Sequence, residues 1–266
     1  MFHPIMRSTR LTALALAALL ALMLAPALVL ADEDGIFIET VNRSSGLSGE
    51  EPTEEISHTF VAYGKMKVAS ADPNGTDMIL DPATGDMLFM NRGVKEFYKI
   101  NTKSMMEGMS KPGMDQMRAM MEQTQITVEV TDETRTINGW NCRKYRVTKT
   151  GMMDIEQEIW ATEEVDLKEL ERYTDLMSLS GPDGLLANSD AGRAQQAEMD
   201  KVKGYPILTK SKMQLMGTDM ESESEVRVIR RESMAASQFE IPADYKERQM
   251  DAPDAAGAAG APAGHP

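Results

Sequence analysis

The stretch "TFVAYGKMKVA" limits the fold more than any other part of the chain. Phe60, Ala62, Gly64, Met66 and Val68 fall on one parity, with Lys65 and Lys67 on the other. A period of two with apolar residues on one side is the pattern of a half-buried strand. A turn follows at "ADPNGTD" and another at "DPATGD", where proline, asparagine and glycine reverse the chain. The runs "MIL", "MLFM" and "EFYKI" lie between and after them. Short apolar runs separated by turns describe a meander of antiparallel hairpins.

The same grammar returns over residues 126–162. "ITVEV" alternates, "INGW" supplies an Asn138-Gly139 turn, and "CRKYRVTK" and "IEQEIWAT" continue the ladder. "PILTKSKMQLMG" and "SEVRVIRR" form a further hairpin, and "SQFEIPADYK" closes the pattern. Three stretches carry helical spacing. Residues 112–124 space Met114, Met117, Met120 and Met121 by threes and fours. Residues 166–178 start at Asp166 with Glu169 three positions on, and align Leu167, Leu170, Tyr173 and Met177. Residues 190–203 stop at Gly204, with Pro206 beyond. Strands interrupted by helices give an α+β class. We expect a curved antiparallel half-barrel with helices covering its concave face.

Residues 1–31 read as a signal peptide. Arg7 and Arg10 precede the apolar run "LTALALAALLALMLAPALVLA", and cleavage is expected after Ala31. A retained membrane anchor is the alternative, because the run nearly reaches spanning length. Residues 32–52 are acidic and rich in Ser and Gly, so a flexible or partly paired leader is expected there. Residues 53–249 form the half-barrel domain, and 250–266 are a Pro/Gly/Ala tail that cannot build a core.

The formal net charge is −14, and removing a leader that holds two arginines makes it more negative. Such a surface repels nucleic acid and anionic headgroups. The expected location is periplasmic or secreted. Cys142 is the only cysteine, so no intrachain disulfide forms and packing must hold the fold. Past the leader the only histidines are His58 and His265. That scarcity speaks against Ser–His or Cys–His catalysis and against a histidine-built zinc or copper(II) site. No cofactor is expected, and the chain reads as a non-enzyme.

The ordered segments "TINGWNCRKYRVT", "EIWAT", "GYPILTKSKMQLMG" and "FEIPADYK" resemble an uncharacterised family of exported bacterial domains. The residues carrying the resemblance are Ile137, Gly139, Trp140, Cys142, Tyr145, Trp160, Gly204, Tyr205, Pro206, Phe239, Pro242 and Tyr245. It covers roughly residues 55–247. That family is similar in fold to the periplasmic lipoprotein carriers. The resemblance therefore implies a half-barrel whose apolar concave face can hold acyl chains. It carries no catalytic residues over.

Residues 105–121 hold seven methionines in 17 positions. Thioether sulfur suits copper(I), and Met105, Met109, Met114, Met117 and Met121 could present sulfurs together. Against that, methionines past residue 31 number 20 and leucines 11, so methionine serves as a general apolar filler, and no histidine lies near the cluster. Unbranched methionines also suit a surface that repacks around varied apolar partners. The resulting expectation is a binding protein for a lipid or acyl chain. Met105, Met109, Met114, Met117, Met120 and Met121 would form its lid, and Trp140 and Trp160 its cleft. The alternatives are a copper(I) protein, and a filled barrel that binds an envelope protein partner.

Overall fold

Tyr63 and Gly64 both take positive φ, 52° and 69°. This breaks the run "TFVAYGKMKVA" into two strands joined by a two-residue turn of the kind that matches strand twist. The single strand expected there is therefore a hairpin. Tyr63 tolerates the left-handed conformation because its hydroxyl is tied down. It donates to Met234 O at 2.7 Å and accepts from Glu33 N at 2.9 Å.

The computed structural model describes residues 32–45, 51–109, 119, 122–151, 154–170, 173, 186, 189–215 and 218–248. The expected leader peptide, 1–31, and the expected tail, 250–266, lie outside these. The elements in chain order are β1 (Glu33–Ser44), β2 (Thr53–Ala62), β3 (Lys65–Ser70), β4 (Thr76–Asp81), β5 (Asp86–Asn91), β6 (Glu96–Asn101) and α1 (Thr102–Met109). They continue with β7 (Gln125–Ile137), β8 (Trp140–Thr150), β9 (Ile155–Thr162), α2 (Asp190–Met199), β10 (Tyr205–Leu215), β11 (Thr218–Met234) and β12 (Lys246–Glu247). Short 3-10 turns lie at Lys168–Leu170 and Ala236–Phe239.

The strands make one curved, unclosed sheet in the order β12-β6-β5-β4-β3-β2-β1-β11-β10-β9-β8-β7. Every pairing is antiparallel except β12 with β6. Residues 33–44, expected as a flexible leader, are instead β1, the strand that joins the two halves of the sheet. Among the described residues, no helix is long and apolar enough to cross a membrane.

Register explains the core. Ile36, Val61, Met66, Leu80, Met87 and Ile100 stand directly opposite one another across six strands, β1 to β6. Ile38, Thr59, Val68, Met78, Phe89 and Tyr98 form the next row. These rows feed the main cluster, which also contains Ile137, Cys142, Trp160, Leu170, Tyr173, Ile207, Leu208 and Val226. Removing such apolar surface from water contributes roughly 25 cal/mol per Å². Phe37, on the other parity of β1, joins a separate cluster with Ala62, Met234 and Phe239. A third cluster, Val128, Tyr145, Val147, Ile159 and Ala161, receives Met199 of α2 and Val202.

Helix α2 also guards the β7 edge. Ser189 caps its N-terminus by accepting from Gly192 N at 3.0 Å. The Glu198 carboxylate accepts the Val128 backbone N–H at 2.9 Å, and Gln195 Nε2 donates to Thr124 O at 2.9 Å. Two groups that would otherwise be open at a free edge are thereby satisfied.

A charged row crosses the other half of the sheet. Glu54, Arg43, Glu223, Lys210, Glu158, Arg146 and Glu129 stand opposite one another from β2 through β1, β11, β10, β9 and β8 to β7. Arg43 lies 2.7 Å from Glu54 and 2.8 Å from Glu223, and Lys210 lies 2.9 Å from Glu223. Lys144 holds Glu158 at 2.8 Å, and Arg146 lies 3.3 Å from Glu129.

Candidate functional site

β9 ends at Thr162, and residues 163–170 then form a strap. Local hydrogen bonds shape it. Glu164 N donates to Thr162 Oγ1 at 3.2 Å. The Glu164 carboxylate accepts from Asn141 Nδ2 at 2.7 Å and from Asn141 N at 3.2 Å. Asp166 accepts the Lys168 backbone N–H at 3.4 Å, and Leu170 N closes the 3-10 turn onto Leu167 O at 2.8 Å. At the far end Arg231 reaches Glu169 at 2.7 Å. That bond holds the Glu169 carboxyl below the usual range and the guanidinium above its own. Leu167 and Leu170 turn into the main cluster.

The strap walls two cavities. The larger is an open groove of about 870 Å³, within the range of small-molecule sites. Its floor is Thr40 of β1, Ser224 and Val226 of β11, and Thr209 of β10. Val202, Gly204, Tyr205 and Pro206, on the way from α2 into β10, form the opposite wall. The smaller cavity, about 290 Å³, lies between Ile36, Ile229, Arg230 and Arg231 and the strap. Val165, Asp166 and Leu167 line both, so the strap is the partition.

Two features fix the groove wall. Gly204 has φ +84°, and a Cβ there would sit 2.1 Å from Thr162 O. Only glycine lets the chain lie this close to the end of β9. Burial pushes the Tyr205 phenol up to about 12, so it stays neutral at physiological pH and serves as an aromatic wall. The floor is pinned from the far hairpin. Asn138 and Gly139 turn at φ 50° and 95°, and Asn138 Nδ2 donates to Val226 O at 2.8 Å and Glu225 Oε1 at 3.0 Å.

Of the residues expected from sequence as lid and cleft, the described Met105, Trp140 and Trp160 do not line this groove. Trp160 is 6% exposed in the main cluster, with the Arg135 guanidinium 4.2 Å from its ring centroid. Trp140 is half-buried against the same cluster. Neither lines the groove. Met105 is half-buried on α1, which also carries Met109. Met114, Met117, Met120 and Met121 lie outside the described residues. The groove residues had a partial cue in the sequence: the Leu167–Leu170 stripe and the Gly-Tyr-Pro segment. The floor residues Thr40, Thr209 and Ser224 had none, because their meeting depends on strands far apart in the chain. Among the described residues, no three His, Cys, Asp or Glu side chains come together as a metal-holding group.

Together these observations define the class: an open antiparallel β-sheet domain with a strap-walled groove. The family model for a domain of unknown function, DUF4412, matches residues 58–245. The chain belongs to that family, in keeping with the resemblance carried by the ordered segments. No protein of curated function matches it. Among solved structures, PNGF-II is similar in two crystal forms, at 13% and 14% identity and TM-scores of 0.37 and 0.36. The likeness covers 85% and 81% of this chain but only 32% and 31% of that one, so this chain spans about a third of its length. The LolA superfamily protein NE2245 from Nitrosomonas europaea is similar at 7% identity and TM-score 0.30, over 78% of this chain and 90% of that one. Likenesses this distant carry no inference about activity.

Proposed function

We propose that the protein is an exported, non-enzymatic binding protein that holds an apolar ligand, of the lipid or acyl-chain class, in the groove beside the strap. The observation that carries this reading is the continuity between groove and core. Leu170 and Val226 belong to the main cluster and Leu167 and Tyr205 pack on it, yet all four line the 870 Å³ groove. A ligand entering there extends the core, and its affinity comes from apolar burial. The exported location rests on the leader peptide read from the sequence. Helices laid over the concave face, including the methionine segment, belong to the same reading as a lid.

The test is titration with the neutral apolar dye N-phenyl-naphthylamine. Saturable, blue-shifted fluorescence with little salt dependence is expected. Leu167→Asp, at a half-buried position of the strap, should weaken dye binding about tenfold or more, since it places an unpaired carboxylate on an apolar wall, while the far-ultraviolet circular dichroism stays unchanged. A wild-type protein that takes up no dye overturns the reading and favours the filled barrel.

A further inference from the structure

The groove has a mixed lining. Leu170, Tyr205 and Val226 give it apolar surface, and beside them Thr40, Thr209 and Ser224 present hydroxyl groups. Ser224 stands directly opposite Thr209, and Thr40 stands directly opposite Val226, two residues further along β11. Side chains directly opposite lie about 5 Å apart, and diagonal ones about 7–8 Å. A sugar ring or a glycerol spans such distances.

Similar polar residues elsewhere on these strands are paired with one another. Asn42 Nδ2 donates to Ser57 Oγ at 3.1 Å, and Gln157 Nε2 donates to Ser211 Oγ at 3.0 Å. The three groove hydroxyls are half-buried, and none has a protein hydrogen-bond partner among the described residues. Their hydrogen-bonding capacity is directed into the groove, where a ligand that matches it replaces water without leaving a polar group stranded.

The charges at the groove select further. Lys168 Nζ lies 3.3 Å from Asp166 Oδ2. Glu163 then remains as a negative charge with no cation paired to it among the described residues. In a strongly acidic protein that arrangement opposes an anionic head group.

We infer that the groove takes an amphiphile with an uncharged, hydroxyl-rich head group, a sugar or a glycerol. The alkyl portion lies on Leu170, Tyr205 and Val226, and the head hydrogen-bonds to Thr40, Thr209 and Ser224. This inference rests on the groove being an apolar-ligand site.

The experiment is calorimetric titration of the mature protein, below micelle-forming concentrations, with dodecyl maltoside, monododecanoyl glycerol and dodecanoate. These probes share the alkyl chain and differ in the head. At least one neutral probe is expected to bind about tenfold or more tightly than dodecanoate, the worth of one to three net hydrogen bonds. The tighter of the two names the head. The triple variant Thr40→Val, Thr209→Val, Ser224→Ala keeps the shape nearly constant and should erase that preference, bringing the neutral probes to within about twofold of dodecanoate. Glu163→Lys, at an exposed position, is expected to raise dodecanoate affinity severalfold, and it stands as an independent arm should the triple variant fail to fold. Dodecanoate binding as tightly as both neutral probes overturns the head-group assignment and leaves the apolar site standing. Failure of all three probes and of the dye overturns the site itself.

Discussion

The abundance of methionine in this core predicts an unequal response to equal deletions. Leu80 is fully buried, directly between Met66 and Met87 in the six-strand row. Ile38 is 1% exposed, directly between Thr59 and Ile229. Leu80→Ala and Ile38→Ala remove the same number of carbon atoms. Each costs about 2–5 kcal/mol, made up of lost transfer energy plus roughly 24 cal/mol per Å³ of void that survives relaxation. Unbranched methionines can swing into a void, whereas β-branched threonine and isoleucine are fixed at χ1. We therefore expect Leu80→Ala to cost about 2–3 kcal/mol and Ile38→Ala about 4–5 kcal/mol. At about 2–4 °C per kcal/mol for a chain of this size, the melting temperatures should fall by about 4–12 °C and about 8–20 °C. Urea unfolding followed by tryptophan fluorescence is the assay, since Trp160 sits in the same cluster. The difference in midpoint at constant slope gives the free energy. Equal losses, or a larger loss at Leu80, would refute the idea that methionine makes this part of the core adaptable.

Two further outcomes follow from the geometry. Glu198→Ala removes the acceptor for the Val128 amide, so hydrogen exchange at Val128 should speed up about tenfold or more, while Val147 in β8 stays protected; an unchanged Val128 rate would mean that the helix does not cap the edge. Hydrogen bonds from Lys144, Lys210 and Lys212 hold Glu158, Glu223 and Glu221 respectively below the ordinary glutamate value of 4.5. The folded values lie below the unfolded ones. The stability they contribute is complete above that value and is lost as pH falls through the folded ones. The melting temperature should hold from neutral pH to about pH 5 and then decline, and Glu158→Gln should make the decline shallower. A melting temperature that rises on acidification would contradict this sign.

Much of the sheet was legible in the sequence because its hairpins carry their own turn chemistry. Asn138-Gly139 marks the β7–β8 turn, and the Pro/Asn/Gly turns mark the β3–β6 meander. Helix α2 was visible from its stop at Gly204. Two strand errors have physical causes. β1 is buried on both faces through "GIFI", so it shows no alternation, and its acidic flanks made it look like a leader. The β2–β3 turn uses a tyrosine, whose left-handed conformation is held by contacts with Glu33 and Met234 that lie far away in the chain. Of residues 166–178, the described part is a 3-10 turn with Leu170 buried and Tyr173 helical and buried. The apolar stripe was thus readable even though the element is not one continuous described helix. The groove was readable only at Leu167, Leu170 and the Gly-Tyr-Pro segment, because its floor forms where β1, β10 and β11 meet.

The charged row does something that hydrophobic alternation cannot. Alternation tells each strand which side faces inward, and it is blind to which neighbour a strand should choose. Here β7, β9 and β11 carry acids at their crossing points, and β1, β8 and β10 carry bases. Any pairing of two strands from the same set would align like charges and be disfavoured by a few tenths of a kcal/mol or more per contact. The row therefore works as a two-letter code that disfavours neighbours from the same set. It also leaves the outermost strand of that half, β7, with an acidic face that repels the same edge of a second molecule. The code is written in carboxylates, so it fades in acid. Under those conditions errors in neighbour choice and edge-to-edge association should become accessible together.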